Sequence, residues 1–403
     1  MKIGILTYHR SVNNGAFIQC YSLCDRLSKD FPNDTVEVID YNSPIVEKSY
    51  SGTLSFYLFN NLKNPMQLIK RIIKLLIDPF QLHRIRKKKK VFRKSLKYLK
   101  LSNSTFFLKD SYKIRDYINS NYDVLIVGSD AIWNFISRGF PTIYLPDHTI
   151  RPFKLSYAAS CYGMDFTELS KENCELIAQS LDDFSYIGVR DSATESFVRF
   201  FNNGTQCFHN CDPTCFLDLN SLPVDLNVLK KKLIKKGFDF NKPSIGLMGN
   251  QKMLKMIKSF YGDNVQIISL FNYLKDADVQ LYDISPVEWA YVFRLFKFTI
   301  TTYFHGTYLS LKNGVPVVCI DLGTKFGEKY KPKTFDLLER MGLEKWYFKT
   351  DYNTFGVNEI KKCCDNFLES NMSEFISKKI KNEEKYYESF YNAILRIKEI
   401  KNG

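Results

Sequence analysis

Short continuous apolar runs alternate with amphipathic stretches along most of this chain, and the alternation predicts strands and helices in turn. Lys2 to Thr7 and Thr35 to Asp40 predict strands of the kind buried on both faces of a parallel sheet. Between them Phe17, Tyr21, Leu23, Cys24 and Leu27 recur at helical spacing, which predicts a helix ending near Lys29. Val124–Val127, Lys154–Ala159 and Tyr186–Val189 read as further strands, with helices over Ser170–Leu181 and Ser192–Asn202. A polar stretch from Asn220 to about Asn241 interrupts the pattern, which then resumes. Ser244–Met248, Val265–Leu270, Phe298–Thr301 and Val315–Ile320 predict strands, separated by helices at about Lys252–Tyr261, Pro286–Phe296 and Gly306–Lys312.

Two successive blocks of alternating strand and helix predict an α/β protein with two doubly wound, Rossmann-like domains facing a cleft. The expected bounds are 1–220 for the first domain, with a basic helical insertion at about 43–101, and 242–370 for the second. A long charged helix, Ser373 to Ile400 within residues 371–403, is expected to pack back on the body.

Composition fits a folded chain of this size: 403 residues, 45% hydrophobic and 15% aromatic, far from the signature of disorder. The formal charge of +14 is concentrated, because Lys63 to Lys100 holds fourteen Lys or Arg and one acid, Asp78, a net +13. Within it Gln67–Ile77 alternates apolar and cationic residues at helical period, and Arg84–Lys100 predicts a second helix. Such an arm suits peripheral contact with an anionic membrane through residues 63–100, and equally a solvated arm packed on its own domain. No nucleic-acid motif accompanies the charge, so no nucleic-acid partner is expected. A strand starting at Lys2 with no signal peptide before it implies a cytosolic, reduced setting for the ten cysteines, and their spacing (Cys20/Cys24; Cys207, Cys211, Cys215) favours buried thiols over a metal site.

In doubly wound sheets ligands bind beyond the carboxyl ends of strands, where turns lead into helix N-termini. Four such loops carry suitable residues: Asn13-Asn14-Gly15-Ala16, Gly128 to Asn134, Gly188 to Ser192, and Thr301 to Thr307. Free amides at a helix start attract anions, Arg190 offers a planar fork for carboxylate or phosphate, and His305 can relay a proton near neutral pH. Capping explains Asn13 and Ser129-Asp130 equally well, a surface ion pair explains Arg190-Asp191, and Trp133 suits the core. Pro213 forces Asp212 to end an extended stretch.

The segments ILTYHRSVNNGAFIQCYSL, VLIVGSDAIWN, LSYAASCYG, IGVRDSAT, CDPT and FTITTYFHGTYLSLKNGVPVV, in that order, resemble the successive signatures of the polysaccharide pyruvyl transferase family, over about residues 1 to 345. The resemblance implies a fold similar to the glycosyltransferase B type and transfer of pyruvate from phosphoenolpyruvate to a sugar as a ketal, with no cofactor. It implies Arg190, His305, Gly306, Thr307, Asn14 and Gly15 at the donor, His305 as acid, Asp130 or Asp212 as hydroxyl base or orienting group, and Ser129, Asp130 and Asn134 at the acceptor. Tyr303-Phe304 stand where many members have arginine and leucine, so one donor cation is missing. Lys325, Lys329 or Lys333 is expected to replace it, with Lys333 favoured. The implied acceptor is a sugar of a bacterial surface polysaccharide, or of its lipid-linked oligosaccharide precursor. A nucleotide-sugar glycosyltransferase and a noncatalytic membrane-associated glycan-binding module remain compatible with the same fold.

Overall fold

The computed structural model describes residues 1–42, 54, 58, 65–107, 111–202, 204–323, 329–350 and 354–403. Two wholly parallel sheets form its core. The first has seven strands in the order β3-β2-β1-β4-β5-β6-β7: β1 Lys2–Leu6, β2 Thr35–Asn42, β3 Leu101–Phe107, β4 Val124–Val127, β5 Phe153–Ala159, β6 Phe184–Val189 and β7 Cys207–His209. The second has six, in the order β10-β9-β8-β11-β12-β13: β8 Ser244–Met248, β9 Gln266–Ser269, β10 Val279–Gln280, β11 Phe298–Thr301, β12 Val317–Asp321 and β13 Tyr347–Lys349.

Central strands are mainly apolar because helices cover both faces; β4, β8, β9 and β11 are buried at every position, their few polar side chains included. Strand order reverses between β1 and β4 in the first sheet and between β8 and β11 in the second. At each reversal the connections leave in opposite directions and open a crevice at the carboxyl ends of the strands. Those two crevices define where a site can be built.

Four strands went unpredicted. β3 is an edge strand of alternating exposure, hidden behind the basic insertion in the sequence pattern. β7, β10 and β13 are two or three residues long, too short to show a period.

The final stretch corrects the expectation of one long helix. It is two helices, Ser373–Glu383 and Glu388–Asn402, joined by a tight turn over Glu384–Tyr387. The turn is held from outside the segment: Tyr386 packs edge-on against His209, and the Tyr387 hydroxyl donates to Asp30 at 2.6 Å. The last helix lies on the first sheet, with Phe390 fully buried against Tyr157.

The basic stretch forms two helices, Pro65–Ile77 and Gln81–Ser95; the expected donor candidate Lys325 and part of the insertion lie outside the described residues. Gln81–Ser95 leaves the first half of the chain and packs on the second, where Lys87 pairs with Asp283 at 2.6 Å and Arg84 lies 4.1 Å from the Tyr273 ring centre. All ten cysteines are free thiols, and no group of metal-ligating side chains assembles among the described residues.

Candidate active site

The two crevices face each other across a cavity of about 350 Å³. From the first half, Asn13, Asn14 and Gly15 reach it from the loop after β1, and Asp130 from the loop after β4. From the second half come Met248 at the end of β8, Phe271 after β9 and Thr302 to His305 after β11. Lys333, the first residue of the helix Lys333–Arg340, completes the rim.

Asn13 starts the helix Asn14–Asp30 by accepting from the amides of Gly15 at 3.0 Å and Ala16 at 3.4 Å. Gly15 is one place where the halves touch: a β-carbon there would lie 2.0 Å from Cδ2 of His305. The imidazole therefore rests on bare backbone, which only glycine allows. Gly15→Ala is expected to push the ring out of place and lower turnover at least tenfold while leaving the circular-dichroism spectrum unchanged; unchanged steady-state kinetics would show that the contact is dispensable.

Asp130 has φ +86°, a left-handed conformation rare for a residue with a side chain and costing on the order of 1–3 kcal/mol. Its Oδ1 accepts from the Ala131 amide at 2.8 Å, and the strained backbone turns the carboxylate toward the cavity wall.

Arg190 stands one layer behind that wall, 1% exposed. Its Nη1 donates to Asp212 at 3.0 Å, its Nη2 is 4.0 Å from Asp130, and its Nε is 3.9 Å from Asp191. Phe304 covers the guanidinium from the second half, with its ring centre 4.8 Å from Cζ. Asp212 is saturated from other directions by Gln19 and by the amide and hydroxyl of Thr214. Asp191 is likewise held by Ser160 and Thr194, so it is no surface partner. The Nε and Nη2 of Arg190 and the Nδ1 of His305 are buried without a hydrogen-bond partner. Leaving such groups unmatched costs about 1–3 kcal/mol each, more when charged.

Burial pushes the His305 imidazole toward its neutral form; Asp212 and Asp130 oppose this and Arg190 and Lys333 reinforce it, leaving its pKa lowered to about 4. Burial, then the charge of Arg190, lowers Lys333 to about 8. Burial disfavours ionised Asp130 and Asp212, yet the fields of Arg190 and His305 outweigh it and hold both carboxyls below their usual range.

The remaining candidates separate by position. Among the described residues, Ser129, Asn134, Gly306, Thr307 and Asp212 are not on the cavity wall. Thr307 donates to the Tyr303 carbonyl, Gly306 packs against Thr301 and Met248, and Asn134 holds the Tyr162 carbonyl at 2.9 Å. Ser129 is buried. These residues shape the wall rather than form its surface. Of the lysines, Lys329 pairs with Asp165 at 2.7 Å, whereas Lys333 lines the cavity and lies 5.5 Å from the Phe304 ring centre. The sequence reading missed Tyr162, Phe271 and Trp289 as wall residues because an aromatic side chain carries no sign of facing a cavity rather than a core. Gln19 did carry a signal: it is a polar residue four positions before Leu23, on the buried face of its helix.

Comparison with known proteins bears on this arrangement. A model of the polysaccharide pyruvyl transferase family matches residues 13–323, a span that includes Asn13 to Gly15, Asp130, Arg190 and His305 but ends before Lys333. No curated protein matches the sequence. Among solved structures the chain is similar to the UDP-GlcNAc 2-epimerase of Methanocaldococcus jannaschii, with a TM-score of 0.52 and 11% identity over 92% of this chain and 94% of that one. It is also similar to the UDP-GlcNAc 2-epimerase of Neisseria meningitidis bound to UDP-GlcNAc, with a TM-score of 0.50 and 10% identity over 98% and 100%. At such identity the likeness establishes the glycosyltransferase B-like fold alone.

Proposed function

This chain belongs to the polysaccharide pyruvyl transferase family, and we propose that its reaction moves pyruvate from phosphoenolpyruvate onto two hydroxyls of one sugar. The observation that carries the reading is a set of buried nitrogens without hydrogen-bond partners, Nε and Nη2 of Arg190 just behind the wall and Nδ1 of His305 on it, beside the rim residue Lys333. A small multiply charged anion is the ligand that satisfies them together. Lys333 would stand in for the cation absent at Tyr303.

The chemistry assigns each group a task. Protonation of the methylene carbon of an enol phosphate makes the adjacent carbon electrophilic, and His305 is the acid at hand. One sugar hydroxyl then adds to that carbon and passes its proton to a base, for which Asp130 is the carboxylate on the wall. Inorganic phosphate departs with the proton of the second hydroxyl as that hydroxyl closes the ketal. The proton held by Asp130 returns through solvent to His305, so in net balance the two hydroxyl protons are accounted for on the methyl group and on phosphate. Asp212, saturated and inaccessible, orients Arg190 instead of acting as a base. The step as written needs neither a metal nor an organic cofactor. The acceptor we assign is a sugar of a bacterial surface polysaccharide or its lipid-linked precursor.

Calorimetry with phosphoenolpyruvate and a panel of nucleotide sugars tests the donor, and release of inorganic phosphate in the presence of acceptor glycans tests turnover. Phosphoenolpyruvate is expected to bind and the nucleotide sugars are not. Binding of a nucleotide sugar alone would overturn the assignment.

A further inference from the structure

The helix Pro65–Ile77 turns an apolar face outward. Met66, Ile69, Ile72, Ile73, Leu76 and Ile77 are exposed, Leu76 by 77% and Ile77 by 79%, and Phe80 continues the face beyond the helix end. Their spacing of three and four places them on one stripe, with Lys70 exposed along its border. Soluble surfaces rarely carry so many large aliphatic side chains side by side, which is the mark of an interaction site.

The next helix supplies the second observation. Its charges divide by direction: Arg84, Lys87 and Lys88 turn inward onto Tyr273, Asp283 and Phe271 of the second half. Arg86, Lys89, Lys90, Arg93 and Lys94 instead line an open groove of about 560 Å³, in which Lys90 and Lys94 are exposed. An exposed apolar stripe on one helix and a cationic groove on the next is the pairing that an anionic bilayer surface satisfies, since acyl chains take up the stripe and headgroup phosphates the cations. A second copy of the chain is the poorer occupant, because two-fold pairing would bring one segment of net +13 against another. No helix among the described residues is long and apolar enough to cross a membrane, so the contact would be with the surface.

We infer that this helical pair is a membrane-surface anchor that seats the protein on anionic lipid. The inward-facing half of the same helix ties the anchor to the second half beside the cavity, where Lys88 lies 3.8 Å from the ring centre of the cavity-lining residue Phe271. A seated protein therefore holds its cavity close to the lipid headgroups, the place where a lipid-linked acceptor would present its sugar. The anchor itself stands independently of the reaction proposed above.

Co-sedimentation of the full chain with vesicles separates the possibilities. The wild type is expected to partition at least tenfold more onto vesicles of phosphatidylcholine with one-third phosphatidylglycerol than onto phosphatidylcholine alone, and to lose most of that excess in high salt. The substitutions Ile73→Asp with Leu76→Asp, and separately Lys90→Glu with Lys94→Glu, should each lower partitioning at least tenfold. Both pairs are outward-facing, so the circular-dichroism spectrum and phosphoenolpyruvate binding should stay as in the wild type. Equal binding to neutral and anionic vesicles, or wild-type partitioning by both variants, would overturn the inference. So would sedimentation velocity showing a wild-type dimer that the Ile73→Asp, Leu76→Asp variant splits, since the face would then belong to a second copy.

Discussion

Arg190→Met should destabilise the fold and abolish tight donor binding together. The guanidinium is buried between Asp130, Asp191 and Asp212 on one side and the Phe304 ring on the other. Removing it leaves Asp212 a buried carboxylate without its cation, a loss that costs roughly 3–5 kcal/mol in comparable buried pairs. Chemical denaturation with urea measures that loss directly. Donor affinity is expected to fall by about 2–5 kcal/mol as well, the range for truncating one member of a buried charged contact. The double variant Arg190→Met, Asp212→Asn removes charge from both partners, so it should recover much of the stability. It should not recover affinity for phosphoenolpyruvate. If stability and affinity returned together, Arg190 would be a structural cation with no part in holding the donor.

His305→Gln should lower kcat by roughly 10²–10⁴-fold with little change in KM, because glutamine keeps a hydrogen-bonding tip but no proton to give. The pH behaviour makes this sharper. With a pKa lowered to about 4, the imidazole is neutral in the free protein near pH 7, which is the wrong form for an acid. A bound polyanion reverses the local field, raises that pKa and draws a proton from solvent. Donor binding at pH 7 is therefore expected to take up a proton, visible as a dependence of the calorimetric heat on the buffer's ionisation enthalpy. His305→Gln should abolish the uptake. On the alkaline side affinity should decline above about pH 8, where Lys333 loses its charge, and this limb should survive in the histidine variant.

Stability carries the same signature with a definite sign. His305 ordinarily titrates near 6.5 and in the fold near 4, so between these values the unfolded chain binds a proton that the folded chain does not. Stability should therefore fall as pH drops from about 6.5 to 4. His305→Gln should flatten that part of the profile. A wild type without proton uptake and a glutamine variant with normal kcat would together remove His305 from the role of acid.

The limits of the sequence reading follow a pattern. Val124–Val127, Ser244–Met248 and Phe298–Thr301 emerged with the bounds they have in the fold, because strands covered on both faces are buried at every position and so carry short, mainly apolar runs. Edge strands obey no such demand; β3 alternates and β10 is two residues long, so neither stood out. Arg190 and His305 were legible for a topological reason. Arg190 directly follows β6 and His305 lies in the first turn of the helix after β11, and in parallel sheets the region beyond strand ends is where ligands gather.

Sorting the candidates within the site was another matter. Lys329 and Lys333 share a loop and a charge, yet one pairs with Asp165 and the other reaches the cavity. Asp130 and Asp212 both follow strands, yet one lies on the wall and the other is enclosed by Gln19, Thr214 and Arg190.

Local pattern was enough for the central strands, the two-sheet class and the loops that matter, since each of these depends on burial against a segment's own sheet. Which polar group meets which depends on how one sheet is set against the other. Gly15 and His305, 290 positions apart in the sequence, are in contact through that packing alone. The lowered pKa of the histidine likewise sums burial and charges from both halves, a quantity no run of neighbouring residues contains.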